Sequence, residues 1–119
     1  MTLTRNISTF ALLFAVLFIA CGARAEQPGA NPEAEALYER GNDFFQGDNG
    51  TPVNNEEAFN CWKKAAEMGH ANAQHSLALC YLTGKGVAKD DVEAVKWFRK
   101  AAQQGYEPAI DALKELDEE

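Results

Sequence analysis

Residues 71–105 read ANAQHSLALCYLTGKGVAKDDVEAVKWFRKAAQQG, and the parsing of this stretch decides the fold. Ala73, Leu77, Cys80 and Tyr81 recur at helical spacing and can share one apolar stripe. Gly84 and Gly86 then provide the backbone freedom of a tight turn. Asp90 stands three residues before Glu93, the spacing of a capping box that opens a second helix. Ala94, Trp97, Phe98, Ala101 and Ala102 form the apolar face of that helix, and Gly105 is placed to end it in the left-handed conformation. Small alanines beside one large Trp suit two helices packed closely around a single wedge.

The neighbouring segments are partial copies of this unit. Shifted by 36 residues, Ala58 falls on Ala94, Lys64-Ala65-Ala66 on Lys100-Ala101-Ala102, and Gly69 on Gly105. Asn54 and Glu57 repeat the cap pair Asp90 and Glu93. Upstream the offset becomes 37, with Phe44 on Tyr81 and Gly47 on Gly84, so the loop from Gly47 to Val53 carries one extra residue. Downstream, Ala109 and Leu113 repeat Ala73 and Leu77, which starts a third unit. A period in the thirties with helix–turn–helix content predicts an α-solenoid.

The segment LALCYLTGKGVAKDDVEAVKWFRKAAQQG resembles the Sel1-like repeat, a relative of the tetratricopeptide repeat. Its marks are Leu-small-x-x-Tyr, Gly-x-Gly-Val, Ala-x-x-Trp and Lys-Ala-Ala-x-x-Gly, nearly all present in residues 73–105. Residues 34–69 depart from the pattern: Arg40 replaces a Leu, Cys61 occupies the Trp position, and Gly47-Asp-Asn-Gly50-Thr-Pro-Val53 replaces the Gly-x-Gly-Val turn. The resemblance implies an all-α fold, a short right-handed superhelix of antiparallel helix pairs. Repeat one covers about residues 34–69, repeat two about 71–105, and a capping helix about 107–117. For function it implies protein binding of an adaptor kind.

The N-terminus reads as a targeting segment. Arg5 precedes an apolar run from Phe10 to Ala20, and Ala23-Arg24-Ala25 has the form of a cleavage site, which predicts export after removal of residues 1–25. The run is shorter than the roughly 20 residues of a membrane-spanning helix. A second reading stays open, because Phe18-Ile19-Ala20-Cys21 resembles a lipoprotein signal in which Cys21 carries the anchor. Residues 26–31 form a Pro- and Gly-containing leader. Asn31-Pro32-Glu33 then combines a cap, a Pro at the first helical position and an acid toward the helix dipole.

Without Arg5 and Arg24 the chain keeps 9 basic residues against 18 acidic ones. Nucleic acid and anionic membrane surfaces, which require a positive footprint, are poor partners for such a chain; a polar or basic protein suits it better. No catalytic set is expected. Ser76, the one serine beyond the targeting segment, has Leu79 rather than Lys three residues on, so it lacks the Ser-x-x-Lys signature that β-lactam chemistry would use. His70 and His75 lie five apart, whereas zinc ligands on one helical face are three or four apart, and both are expected at the surface. No metal or cofactor is expected, and the paired acids Glu56-Glu57 and Asp90-Asp91 are explained by helix capping.

Transferring the geometry of the related tetratricopeptide repeat, the first helix of each pair lines a concave groove. The positions so placed are Glu35, Tyr38, Asn42, Phe45 and Gln46, then Asn72, His75, Leu79, Leu82 and Thr83, and finally Pro108, Asp111 and Glu115. Apolar anchors among hydrogen-bonding groups suit a protein or peptide ligand. Phe45 and Leu82 admit the alternative of closing the solenoid from below. Trp62, Trp97 and Phe98 are expected in the core. Cys61 and Cys80, nearly symmetric about His70 on neighbouring helices, are expected to form a disulfide in an oxidising compartment. The sequence thus supports an exported interaction module; a secreted antagonist of a toxin and a β-lactam-interacting protein are the alternatives.

Overall fold

The computed structural model describes residues 31–117, so the targeting segment, Cys21 and most of the leader lie outside the described residues. Five helices follow one another: α1 Pro32–Gln46, α2 Asn55–Glu67, α3 Ala71–Thr83, α4 Asp91–Gln103 and α5 Glu107–Asp117. Each packs chiefly on the next in sequence, and the described residues contain no strand. This is an all-α, solenoid-like stack of two helix pairs and a fifth helix.

Capping explains where the helices begin. The Asn31 side chain accepts from Glu33 N at 2.9 Å and Asn54 from Glu57 N at 3.2 Å. Asp90 accepts from both Val92 N and Glu93 N at 3.1 Å. Only half of the expected capping box forms at α4, because the Glu93 carboxylate turns to Lys96 Nζ at 2.8 Å instead of reaching back. The cap of α3 is a residue that its sequence does not advertise: Ala73 N donates to His70 Nδ1 at 3.1 Å.

The repeat is visible bond by bond. Gly47 N donates to Asp43 O, and Gly84 N to Cys80 O, both at 2.8 Å with left-handed glycines ending α1 and α3. Asn54 N closes onto Phe44 O at 2.7 Å, as Asp90 N closes onto Tyr81 O at 2.9 Å, so the longer first loop returns the chain to the same place. His70 N to Ala65 O and Tyr106 N to Ala101 O repeat the junction after each second helix.

Two clusters make the core. One joins Ala34, Ala58, Phe59, Trp62, Ala65, Ala66, Ala73, Leu77 and Cys80; the other joins Ala78, Ala94, Phe98, Ala101 and Ala109. Trp62 and Phe98 are buried as expected, while Trp97 is only half-buried, with Lys100 Nζ lying 4.4 Å from its ring centre. Where Phe98 of repeat two has Ala78 as its counterpart partner position, Trp62 of repeat one has Gly41. A Cβ on Gly41 would sit 2.5 Å from Trp62 Cδ1 and Nε1, so the larger indole requires the missing side chain. Its Nε1–H reaches Tyr38 O at 3.3 Å.

The expected disulfide is absent: Cys61 and Cys80 are separate, buried, free thiols. Trp62, not Cys61, is the α2 side chain that lines the same cleft as Cys80. One step along a helix turns the side chain by about 100°, which sends Cys61 toward a setting with Arg40, Glu57 and Lys64 as its charged neighbours. Burial raises both thiols above their ordinary range, Cys80 to about 11. Alkylation at pH 8 without reductant is therefore expected to label both residues in denaturant and neither in the folded chain, as peptide mass spectrometry would read.

Gly41→Ala gives a sharper test of the packing. In an ordinary helix interior this change stabilises by about 1 kcal/mol. Here overpacking against the indole, worth about 1–3 kcal/mol, should reverse the sign, and urea unfolding should show a net loss. Trp62→Phe in the same chain should restore most of it, since Phe over Ala is the arrangement that repeat two already uses.

Candidate binding cleft

Between α1 and α3 a cleft of about 330 Å³ opens, lined by Asn42, Phe45, Gln46, Trp62, Ser76, Leu79, Cys80, Thr83 and Lys85. Its apolar wall is aromatic and aliphatic. The rings of Phe45 and Trp62 are 5.4 Å apart and tilted by 48°. Phe45 and Leu79 are 37% and 40% exposed, an unusual state for large apolar side chains that stand beside each other in one cleft. Lys85, from the turn after α3, holds its Nζ 5.2 Å from the Phe45 ring centre.

The cleft exists because repeat one and repeat two fill equivalent places differently. At the second junction the half-buried Leu82 and Leu116 pack against the core cluster that contains Phe98. Their counterparts at the first junction are Phe45, Trp62 and Cys80. Cys80 is smaller than Leu116, and Ser76 with its hydroxyl stands where α5 has Ala112. The cleft therefore lies at the junction where these positions carry the smaller Cys80 and the polar Ser76.

Of the sequence-predicted groove residues, the structure brings Asn42, Phe45 and Leu79 together, with Gln46 and Thr83 beside them. Leu82 is not among them; it packs against the second core cluster, whereas Phe45 lines the cleft. Asp111 and Glu115 are exposed on α5, away from the cleft lining, and Asp111 lies 3.8 Å from Lys114 Nζ. Asn72 is half-buried and also outside the lining.

Tyr38 and His75 are engaged elsewhere. Tyr38 stacks on His70 with ring centres 4.8 Å apart, and the equivalent pair of repeat two, His75 and Tyr106, is 5.3 Å apart. His75 is further enclosed by Phe98 at 5.5 Å. These contacts hold one repeat to the next. The surface role expected for His70 is also overturned: it is 6% exposed, caps α3 through Nδ1, and donates from Nε2 to Glu35 Oε2 at 2.7 Å. Nearby, Gln104 Nε2 donates to Gly69 O and to Gln74 Oε1, both at 2.9 Å, and Gln74 Nε2 donates to Ala66 O. A polar seam therefore ties the junctions together along this edge.

Four contributors to the cleft, Trp62, Ser76, Cys80 and Lys85, escape a reading of the sequence. Trp62 aligns with a core Phe, Cys80 sits on a core stripe, and Lys85 is an ordinary turn residue. Only a comparison of each residue with its counterpart one repeat away marks them.

The Sel1 repeat pattern matches residues 34–70 and 71–106, one copy for each helix pair. The chain belongs to the Sel1 repeat family. Among solved Sel1-type structures, a Sel1 repeat protein from Oxalobacter formigenes superposes with a TM-score of 0.67 at 35% identity, covering 69% of this chain and 61% of that one. A protective antigen of uropathogenic Escherichia coli with the same type of fold, c5321, gives 0.61 at 40% identity over 65% of this chain and 16% of its own. An exopolysaccharide production negative regulator of Rhizobium meliloti is 36% identical over 89% of this chain, which spans 40% of that regulator's length. None of the helices among the described residues is long and apolar enough to cross a membrane.

The enclosure of His75 within the second Sel1 repeat has a pH signature. Desolvation lowers its pKa below the ordinary 6.5. The folded chain then binds fewer protons at this ring than the unfolded chain, so the stability that His75 contributes is complete above about pH 6.5 and is lost as pH falls through the folded value. Melting temperatures from pH 7 to pH 5 should fall less steeply for His75→Phe than for the parent, because the variant removes this titration while keeping an aromatic ring against Tyr106.

Proposed function

We propose that this chain is an exported, non-catalytic interaction module that holds an extended segment of a protein partner in the cleft between α1 and α3. The observation that carries this reading is the cleft itself. Exposed Phe45 and Leu79 flank the Trp62 floor, and Asn42, Gln46 and Ser76 lie beside them without a side-chain hydrogen bond among the described residues. A peptide supplies both complements at once: a large side chain for the apolar wall, and backbone amides and carbonyls for the unused polar groups.

The family supports binding over catalysis. The regulator from Rhizobium meliloti is named for controlling exopolysaccharide production, a role that fits a protein acting on other proteins. The targeting segment supports action outside the cytoplasm, and release or anchoring would follow from the choice between cleavage after Ala25 and acylation of Cys21. Neutralisation of a toxin would use the same cleft and is one form this binding could take.

Cys80→Leu tests the reading without dismantling the fold. It installs at the first junction the residue type that closes the second, and the neighbouring void can receive the added bulk. Circular dichroism and melting temperature should hold or rise, while a photo-crosslinker at position 76 should lose its adduct with the partner. Phe45→Ala with Leu79→Ala should weaken the same adduct; each anchor of this kind is worth about 2 kcal/mol when it dominates an interface. Adducts that persist in both variants would place the partner elsewhere on the solenoid.

A further inference from the structure

Among the residues that line the cleft, Lys85 is the one that carries a full charge. The remaining polar lining, Asn42, Gln46, Ser76 and Thr83, is neutral, and no carboxylate contributes. This is notable in a chain with 18 acidic residues against 11 basic ones. The ion pairs among the described residues use Lys89, Lys96 and Lys114, and leave Lys85 out. Its ammonium is instead steered by the face of the Phe45 ring, which positions the charge over the apolar wall while leaving its N–H donors available.

We infer that the cleft selects a peptide in which a bulky apolar side chain is followed directly by an aspartate or glutamate, with Lys85 as the specificity-determining residue. The inference rests on the peptide-binding reading above and adds to it the chemistry of the ligand. The apolar side chain enters between Phe45, Trp62 and Leu79, a space at the low end of the roughly 300–1,000 Å³ typical of ligand clefts and therefore suited to one large group. The carboxylate of the next residue meets Lys85 at the edge. The net negative charge of the whole chain does not forbid this, because screening at physiological salt limits distant charges to a range of about 8 Å and leaves the nearest cation to decide. A lysine or arginine beside the same apolar residue would instead bring two cations together over the Phe45 ring.

The experiment uses the purified, isotopically labelled chain and three peptides with blocked termini, alike except for a central Phe-Asp, Phe-Asn or Phe-Lys. Amide shifts of Asn42, Leu79 and Lys85 report occupancy of the cleft by nuclear magnetic resonance. Phe-Asp should bind about threefold or more tighter than Phe-Asn, the upper part of the range for a partly exposed ion pair, with Phe-Lys weakest. Lys85→Gln should bring the Phe-Asp peptide down to the level of Phe-Asn while leaving Phe-Asn unchanged. Equal binding of all three at the cleft, or a preference for Phe-Lys, overturns the acidic selectivity and leaves the peptide cleft standing. Failure of all three peptides to move the cleft resonances overturns the peptide reading itself.

Discussion

The structure depends on close approach of helices through residues that have almost no side chain. Ala34, Ala58, Ala65, Ala73, Ala78, Ala94, Ala101 and Ala109 are all fully buried, and they are the contact points at which one helix lies on the next. Alanine costs no side-chain entropy on burial and fits a helix without strain, so a small domain can be assembled from short helices with few large core residues. What alanines cannot do is set the angle between helices. Bulk between the helices comes from a few buried aromatics, Phe59 and Trp62 in the first cluster and Phe98 in the second. The Trp62 wedge is tolerated only because position 41 lacks a Cβ. The same logic sets the turn after α3, where a Cβ on Gly86 would collide with the Asn55 carbonyl at the start of α2.

Along one edge, packing gives way to hydrogen bonding. His70, Gln74 and Gln104 are placed where successive helix pairs meet, and every hydrogen bond of this seam spans a junction or a helix end. A buried imidazole that accepts from a backbone amide through Nδ1 must carry its proton on Nε2, and that proton is the one directed at Glu35. Thus a single neutral tautomer satisfies a helix cap and a contact to a different repeat. The aromatic stacks Tyr38–His70 and His75–Tyr106 run alongside and repeat with the chain. Stacking and hydrogen bonding thus act together where successive helices meet.

Much of this was legible in the sequence because helical period and repeat offset are additive signals. The five helices, the caps Asn31, Asn54 and Asp90 and the turn glycines follow from local spacing, and the structure places them within a residue or two, whereas the wedge of repeat two is Phe98 rather than the expected Trp97. What was not legible depends on rotation about a helix axis. Cys61 and Cys80 match in height, but height does not fix azimuth, and Trp62 rather than Cys61 faces the shared cleft. His70 and His75 were placed outside because spacing says nothing of a neighbouring repeat that folds over them. Leu82 and Phe45 hold equivalent positions, yet Leu82 packs against the second core cluster while Phe45 lines the cleft, where Cys80 stands at the position that Leu116 holds one repeat on.

Departures from the repeat therefore carry more information than adherence to it. Gly41 for Ala78, Trp62 for Phe98, Phe45 for Leu82 and Cys80 for Leu116 are four differences between counterparts, and all four meet at the first junction. Two of them enlarge the aromatic wall, and the other two remove bulk opposite it. Trp62 and Phe45 add about as much bulk as Gly41 and Cys80 remove, so the exchanges move bulk to one side of the junction and leave a cleft of about 330 Å³ with exposed apolar residues at its rim. An unfilled gap of this kind forfeits dispersion contacts that a single leucine at position 80 would recover. The first junction therefore carries stabilisation that a bulkier residue at position 80 could recover, which is why Cys80→Leu separates the packing role of this junction from any role of its cleft.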